Sequence, residues 1–458
     1  MEKMNNYVRF EIIILILLLM AGAQSSAQNP IIQTKYTADP APMVHNDTVF
    51  LYTSHDEDDA MGFKMYDWLL YSSTDMVNWT EHGAVASLKD FDWVPYDNGA
   101  WAVQCIERNG KFYLYCPMPG GVGIGVLVAD TPYGPFKDPI GKPLIKNSNH
   151  DIDPTVLIDD DGQAYMYWGN PKVYYVKLND DMISYSGEIY EETTTPKNYQ
   201  EGPWVWKREG HYYMAYASTC CPEGIGYAMS KSPTGPWEYK GMIMDASEKS
   251  RGNHPGIIEY KGKSYLFGHS YDLLKQITPK FYERRSVHAD EMVYNLDGTI
   301  QNRHYWSIEG PKQVGVVNPF KRVEAETMAW SEGVKTQFET EWEGDFDWAR
   351  GKKIADRLFV TSINHGDYIL VKGVDFANGA SSIEVSVSSI YGGQIEVRSG
   401  KIDGPIIAIV DVNTSQEAGI WKTFTAPVKN IEGIHDLYFV FKGEKDLFDF
   451  DWWKFNSK

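Results

Sequence analysis

Three carboxylic residues, Asp39, Asp153 and Glu201, share one placement in this chain: each stands eight or nine positions ahead of the second residue of a tight turn. Trp101 and His254 hold the same place before two further turns. Acids gathered at one site repel, so at least one keeps its proton at neutral pH while another stays ionised. A proton donor facing a proton acceptor is what general acid–base catalysis requires. Each residue alone has a plainer reading. Asp39-Pro40 and Asp153-Pro154 are ordinary strand-entry dipeptides, Glu201 reads as a solvated loop residue, and His254 as a hydrogen-bonded core histidine. The shared register is what singles them out.

That register comes from a repeat. Five segments join a turn pair to alternating aromatic and aliphatic residues: NDTVFLYTS (46–54), NGKFYLYCP (109–117), DGQAYMYWG (161–169), EGHYYMAYA (209–217) and KGKSYLFGH (261–269). Their second turn residues fall at 47, 110, 162, 210 and 262. Asn-Gly and Asp-Gly supply the positive φ of a two-residue hairpin. A second motif recurs as SSTDMVNW (72–79), ADTPYGPF (129–136) and SKSPTGPW (230–237), and no helical period interrupts it. Short strands repeating at about 50 residues describe propeller blades, so five blades are expected. Equivalent positions on successive blades face one axis. Asp39, Trp101, Asp153, Glu201 and His254 should therefore meet in one axial pocket. Asp159, Asp160 and Asp161, by contrast, belong to the turn before Gly162. An EF-hand reading of this stretch fails for want of oxygen ligands at loop spacing and a distal Glu.

Composition bounds the partners. The formal net charge of −19 argues against nucleic acid and anionic membrane. The 15 Trp and 30 Tyr serve large β cores and also stack on sugars. Lys3 and Arg9, the apolar run 12–20 and the small residues 21–27 read as a cleavable signal peptide, 1–27, without a lipobox cysteine. A secreted or periplasmic monomer, free of the membrane after cleavage, is expected. Of the four cysteines, Cys105 and Cys116 flank the Asn109-Gly110 turn, which pairs Cys105 with Leu114 and leaves the two diagonal, so no bridge is expected. The adjacent Cys220 and Cys221 are expected to be free.

Over residues 30–310 the chain resembles glycoside hydrolase family 43, on ADPAP, WAVQCIERNGKFYLYC, DIDPTVLIDDDGQAYMYWGN, EGPWVWKREGHYYMAYAS, NHPGIIEYKGKSYLFGHS and RRSVHADEMVYNLDGTI. The resemblance implies a five-bladed propeller that inverts the anomeric centre. Asp39 would be the general base, Glu201 the general acid, and Asp153 the residue that orients the acid and raises its pKa. Arg285 would contact the sugar, with Arg284 as the fallback if the register slips. Trp101 would stack on substrate and Trp168 line the same pocket. His254 resembles the axial histidine that contacts substrate or holds calcium or its waters, although imidazole is a poor calcium ligand. Many relatives read Trp-Ala-Pro where this chain has Trp101-Ala102-Val103.

Independent spacing supports the roles. Single displacement places the two carboxyls about 6.5–9.5 Å apart, whereas a retaining pair stands about 5 Å apart. Blades 1 and 4 face each other across a channel and suit the wider gap.

A Gly- and Pro-containing break, residues 311–321, separates the propeller (28–310) from a second domain (322–458). There VEAETMAW, INHGDYILV, IWKTFTAPV, IHDLYFVFKG and FDFDWWKF alternate as strands of a β-sandwich. This part resembles a family 6 carbohydrate-binding module with structural calcium. Glu324, Glu326 and Asp451 match its calcium carboxylates, and Trp421 its aromatic platform. A partner ring is absent at Thr361 and Ser362, and Asp449 stands where Asn is usual. The chain is thus expected to be all-β and to remove α-L-arabinofuranosyl residues from plant cell-wall arabinoxylan or arabinan. The alternatives are a β-xylosidase or endo-1,4-β-xylanase acting on xylan and, in another class, a non-catalytic sugar-binding propeller.

Overall fold

The computed structural model describes residues 28–343, 352–389, 391–414 and 419–458. The expected signal peptide lies outside them. Five antiparallel sheets follow one another, as the repeat requires. Blade 1 comprises Tyr36–His45, Thr48–Asp56, Asp67–Ser73 and Trp79–Ser87; blade 2, Gln104–Arg108, Lys111–Met118 and Gly123–Ala129. Blade 3 comprises Thr155–Ile158, Ala164–Trp168, Tyr174–Leu178 and Tyr185–Glu191; blade 4, Tyr199–Arg208, His211–Ser218, Glu223–Ser230 and Glu238–Ser247; blade 5, Gly256–Tyr260, Lys263–Ser270 and Ser286–Met292.

Both turn residues of four hairpins take positive φ: Asn46-Asp47, Asn109-Gly110, Glu209-Gly210 and Lys261-Gly262. That is the backbone twist a two-residue hairpin needs. The blade 3 turn is one residue longer, with the Gly162 amide donating to the Asp159 carbonyl at 2.9 Å. Cys105 faces Leu114, as the turn predicts, and Cys105 and Cys116 are free and buried.

The ring closes where its ends meet. The Ile31 amide donates to the Val287 carbonyl at 2.9 Å, and Asn29 donates to the Ala289 carbonyl at 2.9 Å. Aromatic and aliphatic side chains fill the space between blades, among them Tyr52, Trp68, Leu114 and Leu266, each fully buried.

The second domain is the expected sandwich. One sheet orders Lys335–Glu343, Lys352–Thr361, Asp449–Ser457, Ala380–Ser388 and Trp421–Pro427, with Val323–Glu324 paired to Asp449–Ser457. The other orders Trp330–Glu332, Tyr368–Asp375, Ile434–Lys442, Gly393–Ser399 and Ile406–Val412. Ile383, Val385, Ile395, Val397, Phe439 and Phe450 form its core between the sheets.

The segment expected as a linker is pinned between the domains. Gln313 donates to Asp75 and to the Lys372 carbonyl, both at 3.0 Å, and the Val317 amide donates to the Gly373 carbonyl at 3.0 Å. Beyond it, Thr327–Met328 pairs with Thr80 and Trp79, adding a fifth strand to blade 1.

Candidate active site

The loops at one end of the ring build a cavity of about 380 Å³. Two kinds of backbone reach it. The residues that open each inner strand supply Asp39, Trp101, Asp153, Glu201 and His254, and the connections between second and third strands supply Phe63, the pair Cys220 and Cys221, and Glu283. Asp39 and Asp153 take positive φ, 51° and 58°, ahead of their prolines. Asp39 lies in a β-bulge between Ala38 and Ala41. A bulge re-aims a side chain, and here it turns the carboxyl off the sheet surface and toward the axis.

His254 is the hub. Its Nδ1 lies 3.6 Å from Asp39 Oδ1, and its Nε2 lies 3.8 Å from Asp153 Oδ2 and 3.7 Å from Glu201 Oε1. Burial opposes a charge on the ring, but Asp153 and Asp39, with Glu201, raise its pKa to about 10. Gly202 makes the approach possible, because a Cβ there would stand 2.8 Å from the imidazole. The Gly202 amide also donates to Asp153 at 3.2 Å.

Asp39 is ionised. Burial works to raise its pKa, but Arg285 and the charged His254 overcome that and hold it below the usual value. Arg285 donates to Asp39 at 3.0 Å and grips Asp56 through two guanidinium nitrogens at 2.9 and 2.8 Å. His269 is neutral: burial and Arg285 press its pKa down to about 3. Its Nδ1 therefore accepts the Asp39 amide at 3.2 Å while Nε2 donates to the Arg251 carbonyl at 2.8 Å.

Two other acids hold protons more tightly than usual. Burial lifts Asp153 to about 7, with Glu201 and Asp39 adding to it against His254. Burial and then Glu201 lift Glu223 to about 7 as well. Asn170, from the blade 3 connection, donates to Glu201 Oε2. The site thus pairs an ionised carboxylate beside Arg285 with a group of acids that share protons at neutral pH.

The sequence placed most of this. Trp101 lines the cavity, edge-on to Phe63 with centroids 5.0 Å apart. Of the two arginines, Arg285 faces the cavity, while Arg284 donates to the Ala60 carbonyl and stacks over Tyr282. Trp168 is corrected. It is fully buried, stacked on Tyr174, and donates through Nε1 to Asp151 at 2.9 Å, because strand alternation turns it between blades instead of toward the axis. Cys220 and Cys221 are also corrected. They are bonded to each other, the Cα atoms 3.1 Å apart bringing the neighbouring sulfurs within reach. Asp56, His269, Asn170 and Glu223 were missed. None shares the repeat position, and only Asn170-Pro171 carries any local signal, a turn dipeptide.

In the sandwich, Trp421 is half-buried, with Arg357 over its ring at 4.6 Å and Phe359 edge-on at 5.1 Å. A nearby cleft is lined by Thr361, Ser388, Asp449 and the exposed Tyr391. Tyr391 was not singled out in the sequence, where it lies outside the strand pattern.

The family model for "Glycosyl hydrolases family 43" matches residues 27–300, and that for "Carbohydrate binding module (family 6)" matches 324–457. An arabinoxylan arabinofuranohydrolase of Bacillus subtilis (strain 168) is 33% identical over 94% of this chain and 92% of its own. A crystal structure of a Bacillus subtilis family 43 arabinoxylan arabinofuranohydrolase with cellotetraose superposes with a TM-score of 0.81 at 31% identity, covering 94% of this chain and 98% of that one. A β-xylosidase/α-arabinofuranosidase from a compost metagenome, in complex with xylotriose and in calcium-free form, covers 60% of this chain and 97% of its own, with a TM-score of 0.54 and 31% identity. With its acids gathered at the axis of five blades and a family 6 module behind them, this chain belongs to glycosyl hydrolase family 43.

Proposed function

We propose that the enzyme removes α-L-arabinofuranosyl residues from arabinoxylan or arabinan, with inversion. The observation that carries the chemistry is the placement of Asp39 and Glu201 on opposite nitrogens of one imidazole, at 3.6 and 3.7 Å. A ring and two such contacts make a span suited to the ~6.5–9.5 Å of an inverting pair, with room for the attacking water. Asp39 takes a proton from that water while Glu201 gives one to the departing oxygen. Asp153, His254 and Asn170 fix Glu201 in place, and Arg285 fixes Asp39. The two-domain likeness to an arabinoxylan arabinofuranohydrolase supports the substrate. A second reading, β-xylosidase, is favoured by the likeness over the propeller to an enzyme named for both activities.

The test is proton NMR of the first sugar released from arabinoxylan oligosaccharides. Expected is arabinose appearing first as its β-anomer, with the xylan backbone intact. Release of the α-anomer would refute inversion, and release of xylose alone would favour the xylosidase.

Calcium fits the two domains differently. At the axis, His254 offers an imidazole that keeps its proton among carboxylates, and a hard cation prefers oxygen, so the ring does not suit a direct ligand. The sandwich carboxylates offer the oxygen donors it prefers. Glu326 is buried, with Oε2 unpartnered, and burial, then Glu324, Glu81 and Asp451, drive its pKa well up. Arg322 bridges Glu324 at 2.7 Å and Asp451 at 3.3 Å, and Arg357 also donates to Asp451. To hold the ion, Glu324 and Asp451 would have to exchange Arg322 and Arg357 for it, and the ion would then supply the countercharge that Glu326 lacks. Chelation is expected to lower the melting temperature of the sandwich by about 5–10 °C at a hundredfold excess of calcium over Kd. Calorimetry of the wild type and Glu326→Gln, with and without chelator, checks this: an unchanged wild-type transition would remove the site.

A further inference from the structure

The hairpin joining the second and third strands of blade 4 carries groups that the acid–base reaction does not use. At its tip the bonded Cys220 and Cys221 are exposed and line the cavity. Two residues on, Glu223 lines it too, although only 2% exposed, and its Oε2 accepts the Asn253 amide at 3.2 Å. A Glu223 carboxylate oxygen lies within 4.8 Å of both sulfurs. The tip is held in place: the Thr219 amide donates to the Asn198 carbonyl at 2.9 Å, and the Glu223 amide to the Ser250 carbonyl at 3.4 Å. It also stands beside the acid, since the point a Cβ would occupy on Gly252 is 3.3 Å from Glu201 Oε1 and 4.0 Å from Glu223 Oε2.

The cavity therefore has two ends. Arg285 bonds Asp39 and lies under Phe63 at 5.3 Å, and Phe63 packs on Trp101. The disulfide and Glu223 flank Glu201. In a single displacement, water attacks at the base and the leaving sugar departs at the acid. A disulfide has no donor and only weakly accepting sulfurs, so its exposed surface is effectively apolar. The carboxyl beside it offers a directional partner for a hydroxyl. An apolar face with one placed polar group is how ligand pockets fix orientation.

We propose that the Cys220–Cys221 disulfide and Glu223 form the wall that contacts the sugar on the leaving-group side of the scissile bond, so that this turn sets which aglycones are accepted. A leaving group exists only if the hydrolysis proposed above takes place, and the wall takes its role from that reaction.

Thiol titration of the full-length enzyme, unfolded without reductant, should find two thiols, Cys105 and Cys116; four would overturn the wall. Kinetics then compare an arabinosylated xylo-oligosaccharide with α-L-arabinofuranosyl fluoride, which has no leaving sugar. In Cys220→Ser/Cys221→Ser, KM for the oligosaccharide should rise about 5- to 10-fold with kcat within about twofold, the mark of lost binding shared by ground and transition states. The kcat/KM for the fluoride should fall no more than about threefold. Folded wild-type enzyme treated with dithiothreitol should show the same split without any risk to folding. There the reagent's two thiols pass two electrons to the bond and close to a ring, leaving Cys220 and Cys221 as thiols. Glu223→Gln should raise the oligosaccharide KM in the same sense. Equal losses on both substrates, or none on either, overturn the proposal. If wild type cleaves β-xylosyl fluoride and not the arabinosyl compound, the substrate reading falls, and the same KM criterion applied to xylobiose and xylosyl fluoride still decides the wall.

Discussion

Glu201→Gln is expected to lower turnover of arabinoxylan oligosaccharides by about 10²–10⁴-fold, the range general acid catalysis supplies. A glutamine of the same shape keeps an oxygen for Asn170, whose Nδ2 donates to Oε2 of the native residue. It cannot deliver a proton. The loss should depend on the leaving group. An alkoxide departs poorly without protonation, whereas a dinitrophenolate needs little help, so the dinitrophenyl arabinofuranoside should lose only about tenfold or less. Side-by-side kcat values on the two substrates decide the matter. Equal losses would contradict the acid role and point to Glu201 as a structural partner of His254, which lies 3.7 Å away.

Asp39→Asn should cost about 10²–10⁴-fold on both of those substrates, because water must be activated whatever leaves. Arg285 keeps its two-pronged grip on Asp56, so the fold should survive, and an unchanged unfolding midpoint would confirm it. The pH profile carries a second signature. Arg285 and His254 outweigh burial and hold Asp39 below its ordinary value. The acid limb of wild-type kcat/KM should therefore lie below about pH 4. The basic limb should follow loss of the proton that the acid must deliver. A wild-type acid limb at ordinary carboxylate pH or above would exclude Asp39 as the base.

The residues that proved legible in the sequence are those the repeat indexes. Asp39, Asp153, Glu201, His254 and Trp101 could be placed at one axis because a hairpin of known length follows each. Trp168 could not, since strand alternation states that neighbours diverge but not which faces the axis and which the next blade. Glu223 and His269 begin no inner strand, and only the folded ring brings them to the acids. Asp56 ends a strand and has no partner in sight until the chain returns at Arg285. The bond between Cys220 and Cys221 depends on backbone geometry that no residue count reveals. In the sandwich, the carboxylates matched by type, while the guanidinium groups of Arg322 and Arg357 that lie on them were not foreseen.

The junction between the domains has a mechanical meaning. The ring is sealed by the segment running into blade 1, and the sandwich fastens that same segment. Ser331 donates to Gln33, Lys35 to the Thr336 carbonyl, and Thr34 and Thr336 both to Glu81. A circular structure is weakest at its seam, and here the seam is splinted. The module behind the enzyme is thus less a tethered anchor than a buttress, and any polymer it grips is presented to the acids at a fixed reach.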